Sequence, residues 1–308
     1  MEITFTPLAT LSQIKETPSR KDGIPADLED DLRAYGAKMI QQAGILLKQK
    51  QVAMSTAQVL FQRFWYTSSM EKYGIAEMGM GALYLASKLE ECPVRMRDVI
   101  NVYDLLLQRA KYYRARFKEG SESDVTRDFQ YEPMSYFSQT YYELKDALIV
   151  AEMQLLKRLA FDVQVTLPYG TLVNYMRVLN LLEDTKACQM AWGYLNDALQ
   201  TPVYAVYPVP VIVCAAILLV IRHLQLPYPS EPPRRGVTPT NDANPDAETP
   251  PTPFSTWWEL FDASYEDMWL VCGIIMRLYR TRTPEESVRP ARLLTKKDVR
   301  KWLDEHKE

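Results

Sequence analysis

Residues Val209 to Ile221 form a run of about 13 residues with no charged or hydrophilic side chain. A helix built from them has no face suited to water, and such a helix belongs at the centre of other helices. The run falls short of the roughly 20 residues that cross a bilayer. It is therefore expected to be buried on all sides in a soluble domain. The first half of the chain has a counterpart near 75–91. Each of these two segments is the third helix of its set. Each carries adjacent small residues, Gly81-Ala82 and Ala215-Ala216, which let neighbouring helices approach closely. Each then ends in a cation about seven residues further on, Lys88 and Arg222.

Around these two centres the hydrophobic periodicity predicts helices near 27–49, 54–69, 75–91, 96–117 and 135–160, then near 168–182, 185–200, 208–225, 256–262 and 264–280. The third is stopped by Cys92-Pro93, because proline disfavours helical geometry in the residue before it. The expected fold is all-α, a duplicated five-helix unit. It divides into an N-terminal tail (1–26), a first bundle (27–163), a second bundle (164–282) and a C-terminal tail (283–308). The segment Thr295 to Lys307 reads as a short charged, solvated helix; its Lys296-Lys297 and Arg300-Lys301 could alternatively serve nuclear import.

Two connections are long. Residues 111–133 are charged and are expected to be irregular after the first turns. Residues 227–253 hold nine of the twenty prolines and cannot pack a core, so they read as a disordered insertion in the second bundle. Thr238, Thr249 and Thr252 each precede a proline there. They are candidates for proline-directed phosphorylation, although such pairs recur in any loop of this composition.

Composition agrees with helices. The 11 glycines in 308 residues are about half the usual ~7% share. A net charge of −3 argues against a protein that coats nucleic acid. Four widely separated cysteines, none in a C-x-x-C pair, suggest a reducing compartment and no zinc site. Met1 to Pro25 lacks the apolar core of a signal peptide. The two histidines, His223 and His306, lie 83 residues apart, and no metalloprotease, hydrolase or P-loop motif is present. Gly79-Met80-Gly81 begins like a dinucleotide fingerprint, but Tyr84 stands at its third glycine, so helix packing is the better reading. Neither catalysis nor a cofactor is expected.

The most informative single residue is Glu152. From Ser135 to Phe161 the sequence reads as one helix with a core stripe at Phe137, Tyr141, Leu144, Leu148, Ala151, Leu155 and Leu159. Glu152 borders this stripe, and its neighbours three and four positions away are Ile149, Leu148, Leu155 and Leu156. None is a cation, so a partner from outside the helix is expected, unless the side chain simply reaches water.

Several stretches resemble the cyclins, and within them the cyclin-L branch. They are Ile40–Leu47, Gln51–Met54, Gln58–Phe64, the Leu85-Ala-Ser-Lys-Leu-Glu-Glu91 run, Arg97–Val102 and Ala191–Leu199. The likeness covers about residues 20–282 and implies tandem five-helix cyclin boxes. It also implies that Lys88 and Glu152 pair on a kinase-binding face, with Leu85, Leu89, Leu156, Phe161 and Val163 as apolar contacts. By itself Lys88 reads equally as an exposed last-turn cation within reach of Glu91. The function implied is regulation of a cyclin-dependent kinase, the partner of cyclin-L proteins, in RNA polymerase II transcription and pre-mRNA splicing in the nucleus. Splicing or transcription factors would be further partners, without direct nucleic-acid or membrane contact. Cyclin-L proteins often carry an arginine-serine-rich tail, and no such stretch appears before Glu308, which makes kinase binding the firmer implication. The alternatives are another transcriptional cyclin of the K, T or C kind, or a protein like transcription factor IIB. The latter shares the tandem fold but would bring a basic surface and a zinc ribbon.

Overall fold

The structure is a computed structural model and describes residues 8–118, 129–227 and 257–306. The proline-rich insertion from residue 228 onward, with its three Thr-Pro sites, lies outside these residues, as does the 119–128 part of the first long connection. The described residues form helices and turns without a strand. In chain order the helices are α1 (Leu11–Lys15), α2 (Pro18–Lys21), α3 (Ala26–Leu46), α4 (Gln51–Phe64), α5 (Ile75–Leu89), α6 (Met96–Lys118) and α7 (Gln139–Arg158). There follow α8 (Tyr169–Val178), α9 (Thr185–Ala198), α10 (Val203–Val206), α11 (Val209–Leu224), α12 (Tyr265–Met276), α13 (Pro284–Val288) and α14 (Lys296–Glu305). The short helix expected near 256–262 is a 3-10 turn at Trp257–Phe261. Two compact units result. One holds residues up to 167 together with 198–206 and 279 onward, and the other holds 168–197 and 207–278.

In the first unit α5 is the central helix, packed against α3, α4, α6 and α7. Eleven of its fifteen residues are buried, among them the small residues Gly79, Gly81, Ala82 and Ala86. Gly81 makes the tightest seam. A Cβ placed there would sit 2.7 Å from the Ala151 Cβ and 3.0 Å from both the Ala151 carbonyl carbon and the Glu152 nitrogen. The backbones of α5 and α7 therefore meet with no room for a methyl group. The Gly-x-Gly pair serves packing, as its helical setting suggested.

Helix α7 begins later than its sequence pattern suggests. Ser138 caps it, its hydroxyl accepting from the Tyr141 amide at 3.3 Å. Phe137 consequently precedes the helix and is 93% exposed, so it does not belong to the core stripe. Leu148, Ala151 and Leu155 carry the burial, with Tyr141, Leu144 and Leu159 packed at the margin.

Both ends of the chain are built into the first unit. In the N-terminal segment, Glu29 on α3 is fully buried and accepts from Thr17 Oγ1 and Arg20 Nε, both at 2.8 Å, and from Arg33 Nη2 at 2.6 Å. A buried carboxylate is tolerable when paired and hydrogen-bonded on this scale. At the other end, Leu293, Leu294, Val299 and Leu303 join the core, and Arg282 pairs with Asp31 at 3.0 Å. Helix α14 is therefore not simply solvated, because its Val299 and Leu303, one turn apart, face inward.

In the second unit α11 is buried along nearly its whole length, with Ala215 and Ala216 inside. It packs against α8, α12 and the 3-10 turn, which contributes the buried Trp257. The Cys272 thiol donates to the Ala215 carbonyl at 3.4 Å, and desolvation pushes the Cys214 and Cys272 thiols up to about 12.

Two outcomes follow from these contacts. Gly81→Ala should destabilise the first unit by about 1–3 kcal/mol, the usual cost of overpacking a tight contact, read as a lower midpoint in chemical denaturation. A thiol reagent applied at pH 8 should leave Cys214 and Cys272 unlabelled in the folded chain and label them after unfolding, because the thiolate is the reactive species. Mass spectrometry of the labelled peptides checks this.

Candidate functional site

Lys88 stands in the last turn of α5, two helical turns after Gly81 on the same face. Because Gly81 seats the α7 backbone against α5 at Ala151 and Glu152, the carboxylate of Glu152 comes within reach of that lysine. The structure pairs the Lys88 ammonium with Glu152 Oε1. The ammonium also lies 4.3 Å from the centre of the Tyr84 ring, one turn back along α5. Lys88 is thus held between a ring face and a carboxylate, and the acid that lacked a partner on its own helix finds one on its neighbour. Glu91, the other acid near Lys88, lies beyond the helix end with a left-handed backbone (φ 50°).

The pair is only partly desolvated, with side-chain exposures of 42% for Lys88 and 17% for Glu152. An open ion pair adds little to stability, typically about 0–1 kcal/mol. Its apolar setting gives it a different use. Removal of water by an incoming surface would strengthen the attraction and fix the register of whatever covers it.

That setting comes from two helical stripes. On α7, Ile149, Glu152, Met153 and Leu156 share one face at spacings of three and four, and Ile149 and Met153 are exposed. On α5 the stripe is Leu85, Lys88 and Leu89. Of the apolar contacts expected from sequence, Leu85 is buried in the core and offers little surface, whereas Leu89 is exposed. Leu156 and Val163 are half-buried against the core. Phe161 is 68% exposed and reaches furthest out. Its amide donates to the Leu156 carbonyl at 2.8 Å, closing the end of α7, and both Ala160 and Phe161 adopt left-handed backbone (φ 50° and 61°). Such a closing turn is usual for glycine, and here two residues with side chains make it.

Ile149 and Met153 were not anticipated as surface residues of this face. The available signal was that both are apolar and fall outside the core stripe of α7. In the second unit the cation equivalent to Lys88 behaves differently, since Arg222 lies over the Trp269 ring at 4.5 Å. Among the described residues, no group of three or more His, Cys, Asp or Glu side chains could hold a metal ion, and no helix is long and apolar enough to cross a membrane.

A family model for the cyclin N-terminal domain matches residues 8–164. Cyclin-L2 of Homo sapiens is 36% identical over 267 residues, which cover 87% of this chain and 44% of that protein. Cyclin-L1 of Danio rerio is 36% identical over 272 residues, covering 88% of this chain and 46% of that protein. The chain thus spans less than half the length of these curated relatives. Two solved structures share its fold. A chain of the yeast RNA Pol II CTD kinase CTDK-1 complex superposes with a TM-score of 0.60 at 16% identity, covering 89% of this chain and 73% of its own length. A chain of the CAK complex from Chaetomium thermophilum gives 0.53 at 18% identity, covering 91% and 73%. The matched domain takes in α3 to α7 and with them both partners of the charged pair, and on that match the chain belongs to the cyclin family.

Proposed function

We propose that this chain is a non-catalytic regulatory subunit that binds a cyclin-dependent serine/threonine kinase and activates it allosterically. The observation that carries this reading is the Lys88–Glu152 pair set among exposed apolar residues on adjacent faces of α5 and α7. An apolar patch with a charged pair at its centre is the anatomy of a surface made to be covered. Leu89, Leu156, Phe161 and Val163, together with Ile149 and Met153, supply apolar area, and the pair supplies register. Leu85 supports the patch from beneath.

A kinase of this class needs its small-lobe helix turned inward so that a lysine–glutamate ion pair forms in its own active site. A regulator that binds only the turned-in state shifts the population toward it, by as much as its affinities for the two states differ. No chemistry is required of the regulator. The likeness to cyclin-L proteins, and a fold shared with a chain of an RNA polymerase II CTD kinase complex, support a nuclear role in polymerase II transcription and pre-mRNA processing. In that setting splicing or transcription factors would be additional partners. A transcriptional cyclin of the K, T or C kind would use the same face, so the kinase recovered decides between them.

The test is affinity capture of the wild-type chain, Glu152→Ala and Lys88→Glu from extracts of the source cells, read by mass spectrometry and kinase assay. Each substitution is expected to weaken kinase binding by about 2–5 kcal/mol, the usual cost of breaking one half of a desolvated charge pair. Undiminished activation by both variants would remove these residues from the interface. Capture of promoter factors or DNA with no kinase would overturn the regulatory reading itself.

A further inference from the structure

Helix α12, in the second unit, carries more apolar side chain than its packing uses. From Met268 to Met276 no residue is charged, yet only Met268, Val271, Cys272 and Ile275 are buried. A helix that is apolar all round belongs inside other elements. Here Tyr265, Trp269, Leu270 and Met276 remain between 42% and 56% exposed. Tyr265, Trp269, Gly273 and Met276 repeat every three or four residues and so share a face. Gly273 leaves a bare shelf in it, because a Cβ built there would meet nothing within 4 Å. Beside the shelf the Tyr265 and Trp269 rings stand 16° from parallel with centroids 6.2 Å apart, and the Trp258 ring leans on Tyr265 at 5.1 Å. Flat aromatic faces beside open backbone suit the rings of an extended proline-rich chain.

The course of the chain says what covers this face. Helix α11 ends beside it, since Arg222 in its last turn lies over the Trp269 ring at 4.5 Å. Gln225 then turns the chain through a left-handed backbone (φ 54°), with the Leu226 amide donating to the Ile221 carbonyl at 2.9 Å. Residues 228–256 follow, outside the described residues, and the chain returns at Trp257. The Trp257 ring meets Trp258 edge-on at 5.8 Å, and Trp258 in turn meets Tyr265. Both ends of the intervening segment are thus held next to the aromatic face.

The composition of that segment matches the face. It begins Pro227-Tyr-Pro-Ser-Glu-Pro-Pro-Arg-Arg235, in which Pro229 and Pro232 have the P-x-x-P spacing of chains that dock on aromatic grooves as polyproline helices. Charge is complementary as well. Glu259, Asp262 and Glu266, at the start of α12 and in the turn before it, are exposed and form no ion pair among the described residues. Arg234 and Arg235 are the cations of the segment. We propose that the α12 face is the docking site of the chain's own residues 227–235. The prolines lie against Tyr265, Trp269 and the Gly273 shelf, and the two arginines meet the three acids. At about 3.1 Å per residue, the stretch from Pro229 to Arg235 covers about 19 Å. Trp269 and Tyr265 are only about 6 Å apart along the helix axis, so the reach is ample. Tethering also favours the contact, because a short flexible linker gives an effective concentration in the millimolar range.

The test compares the full chain with a variant in which residues 228–256 are replaced by a Gly-Ser linker of equal length. A fluorescein-labelled peptide with the sequence of residues 226–236 is titrated into each and followed by fluorescence anisotropy. The linker variant should bind it saturably, and the wild-type chain at least about tenfold more weakly, because its own segment already holds the face. In the linker variant, Trp269→Ala and Gly273→Lys should each weaken binding at least about tenfold. Gly273→Lys replaces a helical glycine at an open position, so this variant should melt no lower than its parent. A peptide carrying Arg234→Glu and Arg235→Glu should bind at least about tenfold more weakly, as charge repulsion replaces attraction. No binding by the linker variant, or binding indifferent to both Trp269→Ala and Gly273→Lys, would overturn the site. Equal binding by the wild-type chain would overturn the intramolecular occupant. So would a wild-type dimer in size-exclusion chromatography that the linker variant does not form, which would give the face to the segment of a second copy. No kinase enters the measurement, so its result is independent of the function proposed above.

Discussion

A missing side chain governs much of this molecule. At Gly81 the backbone of the central helix α5 touches the backbone of α7, and even one methyl group there would collide with Ala151 and the Glu152 amide. Helix axes usually stand about 8–10 Å apart, at a distance set by the side chains between them. Where the intervening residue is glycine, the separation is set by main-chain atoms, which cannot change rotamer. The position of Glu152 relative to Lys88 is therefore fixed by covalent geometry over two helical turns. A charge pair at the surface is ordinarily loose because two long side chains must be ordered to make it. Here the shorter of the two projects from a backbone already held, and the longer lies along the Tyr84 ring.

The same economy of motion appears where the chain ends join the first unit. Glu29 collects a hydroxyl and two guanidinium groups in the interior and ties the residues before α3 to it. Leu293, Leu294, Val299 and Leu303 close the core from the other end of the sequence. The unit that carries the candidate site is thus more than five helices. Its core draws on Ile24 near one end of the sequence and on Leu303 near the other, so it closes only once the late-arriving segment is in place.

What could be read from sequence divides along physical lines. Helices α3 to α7 were legible because each repeats apolar residues every three or four positions, and the close approach at Gly81 was legible because small residues interrupted a long apolar helix. The need for a partner at Glu152 could be read from the absence of a cation on its own helix, although which lysine answered it came from family resemblance. Other features depended on the fold itself. Phe137 matched the α7 period, but the Ser138 cap starts the helix at Gln139, two residues too late to include it. Leu85 has the composition of a contact residue and the position of a core residue, a distinction periodicity alone cannot make. The docking of α14 was concealed by its many charges. Seven of its ten residues are charged, which conceals an inward face made of Val299 and Leu303 with Trp302 packed beside them. Likewise Glu29 and Arg33 have the spacing of an ordinary surface pair, and nothing local announces that both are buried.

The backbone at the end of α7 has a consequence of its own. Left-handed conformation costs a residue with a side chain about 1–3 kcal/mol and persists only when its surroundings impose it. Ala160 and Phe161 both adopt it, in succession, in a turn closed onto the Leu156 carbonyl. The Phe161 ring therefore projects into solvent from a main chain that has already given up its freedom. An exposed aromatic on a flexible loop surrenders much of its contact energy to ordering when it is covered, whereas this one has little left to surrender. The main-chain entropy of that encounter was settled when the chain folded, and only the rotation of the ring itself is left to a surface that meets Phe161.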